Sequence, residues 1–200
     1  MGARGVVLFA HGSGSSRKSP RNRAVAATLQ DAGMATLLID LLTAAEERVD
    51  AATGHLRFDI ALLARRLVAV LDWLEARQDT GPLGTGLFGA STGGGAALVA
   101  AAARPDRVRA VVSRGGRQDL AGAALPRVVA PTLLIVGGDD TVVIGMNRDA
   151  MARMTATVTL EIVPGASHLF EEPGTLARVA ALATDWFGRY LPAPMTSGRA

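Results

Sequence analysis

Short apolar runs alternate with longer segments of helical period along this chain, and that alternation restricts the possible folds more than any other feature. Val6–Ala10 is continuously apolar, as expected of a strand covered on both faces. A helix is expected over Ala24–Ala32, stopped by Gly33, and a second strand over Ala35–Ile39. Phe58–Ala76 places Ile60, Leu63, Leu67, Val70 (or Leu71) and Leu74 at three-to-four spacing, which predicts a long amphipathic helix. Gly86–Phe88 reads as a short strand and Thr92–Ala103 as a helix of small residues. Arg104-Pro105 ends that helix, because the residue before a proline avoids the α region. Strands follow over Val108–Val112, Thr132–Val136 and Val158–Val163, with helices over Met146–Met154 and Thr175–Tyr190. Six strands alternating with helices predict an α/β fold: a mainly parallel sheet covered by helices on both faces. Residues 1–191 are expected to form one domain, and residues 192–200 a frayed tail.

Composition removes several function classes. The 200 residues contain no cysteine, so disulfides, thiolate metal sites and a cysteine nucleophile are excluded. Hydrophobic residues make up 49% and charged residues 20%, which is ordinary globular composition. No apolar run approaches the roughly 20 residues that span a bilayer, so no membrane partner is expected. The N-terminal apolar stretch, Val6–Ala10, is shorter than the roughly 7–15 residues of a secretory h-region. Together with the missing cysteines, this favours the cytoplasm. Net charge is +3, from 21 Lys and Arg against 18 Asp and Glu, and the arginines are scattered. With neither a basic stripe nor an aromatic platform, no nucleic-acid partner is expected. Oligomeric state is not readable.

In parallel α/β sheets, ligands bind outside the carboxyl ends of the strands. The residues that follow the expected strands are therefore the candidates: His11-Gly12-Ser13, Asp40, Ser91, Ser113-Arg114, Asp139-Asp140 and Ser167-His168. Gly89-Ala-Ser91-Thr-Gly93 is a G-x-S-x-G between a strand and a helix, the context of a nucleophile elbow. On such a strained turn, the residues two before and two after the serine crowd its backbone, and glycines fit there. The helix N-terminus beneath Ser91 favours a developing negative charge. A serine needs a base, and in such sites Ser, Asp or Glu, and His follow in that chain order. Asp140 follows the fifth strand and His168 the sixth, in order and in place. His168 would take the Ser91 proton, and Asp140 would hold the imidazole tautomer. Asp139 competes for the acid role. Asp140 is preferred, because loops of this type carry one variable residue and then the acid.

An oxyanion hole needs two backbone N–H groups. Thr92, after the nucleophile, supplies one, and Ser13, in the loop after the first strand, supplies the other. His11 is then a structural residue of that loop, with substrate contact as its alternative role. The same loop nearly spells a phosphate-binding G-x-x-x-x-G-K-S, but Arg17 stands where the second glycine must be, and the dinucleotide fingerprint fails at the same position. Arg114, at the active edge of a buried strand, could clamp a substrate carboxylate. Its alternative role is to anchor the Gly115-Gly116 turn. Ala44–Arg57, with Glu46, Glu47, His55 and Arg57, reads as a loop that is a candidate for the mouth of the site.

These segments resemble the α/β-hydrolase superfamily over about Val6 to Tyr190, and in detail the small lidless proteins grouped with dienelactone hydrolase. The resemblance is carried by His11-Gly-Ser-Gly-Ser-Ser-Arg, Phe88-Gly-Ala-Ser91-Thr-Gly, Ser113-Arg-Gly-Gly-Arg-Gln-Asp-Leu and Val163-Pro-Gly-Ala-Ser-His168-Leu-Phe-Glu-Glu-Pro. It implies Ser91 as nucleophile, Asp140 as acid partner and His168 as base, with no metal or organic cofactor. Dienelactone hydrolase itself uses a cysteine nucleophile, which this chain lacks, so serine chemistry is implied instead. The stretch from Ser113 to Pro131 is too short for a cap domain. The expectation is thus a carboxylesterase-like serine hydrolase acting on a short-chain ester or lactone. A non-catalytic binding module on the same fold is the main alternative, and a nucleotide-binding protein is a weaker one.

Overall fold

The computed structural model describes residues 2–191, and the tail expected over 192–200 lies outside them. Six parallel strands form one sheet in the order β2-β1-β3-β4-β5-β6. They are β1 Val6–Ala10, β2 Ala35–Leu38, β3 Thr85–Ala90, β4 Val108–Arg114, β5 Thr132–Gly137 and β6 Val158–Val163. The helices are α1 Pro20–Asp31, α2 Ala44–Thr53, α3 Ile60–Glu75, α4 Thr92–Ala103, α5 Thr141–Met151 and α6 Thr175–Tyr190. This is the α/β-hydrolase arrangement, and the described residues form no cap domain.

Alternation along the strands explains the two-sided core. In β1, Val7 and Phe9 face the layer of α1 and α6, where they meet Val25, Leu29 and Phe187. Leu8 and Ala10 face the opposite layer, with Leu63, Leu67 and Leu71 of α3 and the alanines of α4. Burial on both faces is why the central strands read as unbroken apolar runs. β2 lies on one side of β1 and β3 on the other, so the connections after β1 and β3 diverge. That divergence opens a crevice at the carboxyl edge.

Several boundaries differ from the sequence expectation, each for an identifiable reason. α1 starts at Pro20, not Ala24: Ser19 caps it by accepting from the Asn22 N–H at 3.3 Å, and proline suits the first turn. The expected loop at Ala44–Arg57 is α2 and a 3-10 turn over Leu56–Phe58. Only Asp50 of α2 is buried, so no apolar period announced it, yet Thr43 and Glu46 form a capping box and Gly54 closes the helix at φ 67°. α5 starts at Thr141 in spite of its β-branched residues, because Val143 and Ile144 pack on Val136 and Leu160. β3 and β4 run further than their apolar runs because pairing with neighbouring strands continues to Ala90 and Arg114. A 3-10 segment occupies Gln118–Arg127 between β4 and β5. No helix of the described residues is long and apolar enough to cross a membrane.

Candidate active site

The turn from β3 into α4 is built by glycines. A Cβ on Gly89 would lie 2.6 Å from the Gly93 carbonyl oxygen, and one on Gly93 would lie 2.6 Å from the His11 carbonyl oxygen. Bare backbone at both positions lets strand, turn and β1 loop meet. Between them Ser91 is held at φ 50°, a left-handed conformation that a side chain rarely adopts. Its N–H donates to the Arg114 carbonyl at 3.1 Å, and its own carbonyl accepts from Gly94 and Arg117. The Ser91 hydroxyl is thereby lifted above the sheet edge at the N-terminus of α4.

Asp140 and His168 converge on it. His168 Nδ1 lies 2.6 Å from Asp140 Oδ2, and His168 Nε2 lies 3.4 Å from Ser91 Oγ. Asp140 sits at the N-terminus of α5 but makes no side-chain capping bond there, so its carboxylate is free for the imidazole. Asp139 is exposed, and no side-chain bond joins it to His168. Gly115, at φ 54°, lets β4 turn away beneath the imidazole: a Cβ there would come within 3.3 Å of His168 Cε1. The loop carrying His168 turns on a second left-handed residue, the buried Phe170 at φ 56°.

The β1 loop forms the other wall. Gly12 packs against Ser91, so close that a Cβ would lie 3.1 Å from the serine's own. Ser13 N–H donates to no acceptor among the described residues. Thr92, as the first residue of α4, has no intrahelical partner for its N–H. His11 is buried and engaged at both nitrogens: Nδ1–H donates to the Gly12 carbonyl at 2.9 Å, and Nε2 accepts from the Leu41 N–H at 3.0 Å. Burial pushes its pKa below the ordinary imidazole value, against hydrogen bonding to Gly12 and the Glu47 charge. His11 thus ties the β1 loop to the β2 loop as a neutral ring.

A cleft of about 640 Å³ opens from this wall. The β1 loop and the start of α1 line one side, through Ser13, Ser15, Lys18 and Arg21. Leu41, Leu42 and α2 line the other, with Glu47, Asp50 and Ala51. The Ala44–Arg57 segment does contribute to a mouth, as a helix. Its Asp50 carboxylate is buried, which pushes its pKa up, but Arg57 Nε at 2.5 Å and the Leu56 and Arg57 N–H groups hold it below the usual range. Glu47 and Arg57, expected at the mouth, do line it, whereas Lys18 and Asp50 carried no such expectation. The capping box of α2 was the available signal for the second wall.

Arg114 stands elsewhere than a substrate clamp would. It is 7% exposed and does not line the cleft. NH1 donates to the Leu169 carbonyl at 3.4 Å and NH2 to Asn22 Oδ1 at 3.3 Å, while its guanidinium carbon lies 5.9 Å from the centre of the Phe170 ring. No carboxylate pairs with it among the described residues. Burial first, then the charge of Arg21, lowers its pKa to about 10. Arg114 anchors a carbonyl, but in the His168 loop and not in the Gly115-Gly116 turn. That turn is held by Asn147 instead, which donates to the Gly116 carbonyl at 2.9 Å. Among the described residues, no group of three or more His, Asp or Glu is placed to hold a metal ion.

Comparison with known proteins agrees with this architecture. Residues 2–191 match the model of the dienelactone hydrolase family. A solved dienelactone hydrolase from Anabaena variabilis is 67% identical, covers 94% of this chain and 88% of its own, and superposes with a TM-score of 0.93. Est1E of Butyrivibrio proteoclasticus shares the fold at 14% identity, covering 96% of this chain and 90% of its own with a TM-score of 0.78. Two Mycobacterium tuberculosis proteins are 61% identical over 195 residues, 98% of this chain. They carry the provisional name of a phosphoribosyl transferase, and the chain spans only 43% of their length. With a matching family model over nearly its full length and a structural relative of the same kind at 67% identity, the chain belongs to the dienelactone hydrolase family.

Proposed function

We propose that this hydrolase cleaves a carboxylic ester, a short-chain ester or a lactone, through an acyl-enzyme on Ser91. The observation that carries the reading is the chain of contacts from Asp140 Oδ2 through His168 to Ser91 Oγ. Ser91 Oγ attacks the carbonyl carbon and passes its proton to His168 Nε2. The Ser13 and Thr92 N–H groups hold the oxyanion. Collapse of the tetrahedral intermediate breaks the bond to the alcohol oxygen, which takes the proton from His168. Water then attacks the acyl-enzyme, gives its proton to His168, and the acid departs as Ser91 recovers its hydrogen. Asp140 holds His168 with Nδ1 protonated and stabilises its charged form. The 3.4 Å between Nε2 and Oγ is within the slack of an unliganded site.

The experiment is intact mass after incubation with a fluorophosphonate, with Ser91→Ala alongside. One adduct on the wild type and none on the variant is expected. An unlabelled, folded wild type would replace this reading with a non-catalytic binding module. The transferase name of the longer relatives has no counterpart in the chemistry of this site and is not carried over.

A further inference from the structure

We infer that Asn147 is a positioning residue for the reaction: from the helix that begins beside Asp140, it fixes the turn that grips the backbone of Ser91. This rests on the acyl-enzyme reading above. A residue in a strained conformation persists only where its surroundings over-determine it. For Ser91, at φ 50°, the turn over residues 114–117 supplies much of that constraint. The Ser91 N–H donates to the Arg114 carbonyl at 3.1 Å, and the Arg117 N–H donates to the Ser91 carbonyl at 3.0 Å. The turn is pinned to β5 at one point, where the Gly115 N–H donates to the Ile135 carbonyl at 2.7 Å. At Gly116 the hold comes from a side chain, as Asn147 Nδ2 donates to the Gly116 carbonyl at 2.9 Å. No larger residue fits there, because a Cβ would run into Ser113 and Gln118, which are hydrogen-bonded to each other. Gly94, in the first turn of α4, packs on the same spot: a Cβ on it would lie 3.0 Å from Gly116 Cα. The turn is thus caught between the helix that follows the nucleophile and the helix that follows the acid.

Stability does not account for this amide. Asn147 is fully buried, and its Oδ1 has no donor among the described residues. Its second proton goes to the Val143 carbonyl at 2.8 Å, which the backbone of α5 already satisfies. A dry acceptor is costly. Leucine has the same branching and would remove it, stranding the Gly116 carbonyl in exchange. One unpaired acceptor would replace another. What asparagine alone supplies is the bond across to the turn. Asn147 lies about two helical turns after Asp140, so both sit on one face of α5. Acid and nucleophile backbone therefore hang from one helix, and a shift of the turn moves Ser91 Oγ and the Thr92 N–H relative to His168.

The test compares the full chain with Asn147→Leu and Asn147→Ala. Both lack the donor, but leucine fills the site and alanine leaves a hole. Per folded molecule, both should lose about 10- to 100-fold in kcat on p-nitrophenyl acetate and in the rate of fluorophosphonate labelling, with KM within about twofold. The apparent pKa of the pH–rate profile should stay that of wild type, because the Asp140–His168 bond does not pass through the turn. Losses that differ between the variants and follow their urea midpoints would reduce Asn147 to a packing residue and overturn the inference. Wild-type rates in both variants, from an enzyme that takes the label, would overturn it and leave the acyl-enzyme intact. A pKa displaced together with kcat would put the effect on His168 and overturn the assignment to Ser91. Wild type alone gives a further check that holds even where a variant does not fold. Its Ser91 and Arg117 amide protons should exchange with deuterium only through global unfolding, and exchange through local opening would show that the turn does not grip. Absence of the label on wild type overturns the acyl-enzyme reading itself.

Discussion

Replacing Arg114 with methionine should cost less stability than the loss of its two hydrogen bonds alone, while lowering turnover on every ester, a pairing that a substrate clamp would not produce. Burial, with Arg21 adding to it, lowers the guanidinium pKa to about 10, which corresponds to roughly 3 kcal/mol against keeping the side chain charged. Methionine fills much of the same volume without that charge. The loss is two hydrogen bonds, at 3.3 and 3.4 Å, which leaves Asn22 Oδ1 and the Leu169 carbonyl without their donor. Two such acceptors cost about 1–3 kcal/mol each when left dry. The terms oppose one another, so the net change in unfolding free energy should fall between about 1 kcal/mol gained and about 3 kcal/mol lost, read from urea midpoints. Turnover should not be spared. Leu169 is bonded to His168, and a displacement of about 1 Å at a reacting group can cost on the order of 100-fold. The expected result is a 10- to 100-fold fall in kcat on neutral esters, a KM within about twofold, and partial recovery in Arg114→Lys. A KM that rises only for carboxylate-bearing esters, with kcat intact, would refute the reasoning and return Arg114 to the substrate.

Ser91→Ala and His168→Ala should each remove at least about 1000-fold of kcat, and the double variant should be no worse than either, since the two act as one unit. Rates on p-nitrophenyl acetate check this, and multiplying losses would contradict it. Asp140→Asn should lower kcat by about 10⁴-fold through the wrong imidazole tautomer, while Asp139→Asn should change it less than about threefold; the opposite order would show the wrong acid partner. Gly93→Ala would place a methyl group 2.6 Å from the His11 carbonyl oxygen, so about 1–3 kcal/mol of stability should be lost. An unchanged denaturation midpoint would contradict it. His11 is held neutral, with its pKa below that of the unfolded chain. The unfolded chain therefore binds the extra proton first, and stability should fall as pH drops through the unfolded imidazole range near 6.5, levelling off below the folded value. His11→Asn should flatten that slope above pH 5, where carboxylates do not yet titrate, and a slope identical to wild type would rule this out.

The fold class and the three residues that meet were legible in the chain's own pattern. Alternating apolar runs can only be buried on both faces of a parallel sheet, and the glycines around Ser91 are legible because a crowded turn tolerates nothing larger. Asp140 and His168 could be named because strand ends share one edge, so chain order and strand position locate them without coordinates. Tertiary structure decided the rest. Nothing local distinguishes an arginine that reaches a substrate from one that reaches a carbonyl, and Arg114 became an anchor only because Leu169 and Asn22 were brought to it from distant parts of the chain. The second wall of the cleft was hidden because α2 buries almost nothing and leaves no apolar period to read. Local patterns record what a segment buries; the shape of a cleft depends on what distant segments leave uncovered between them.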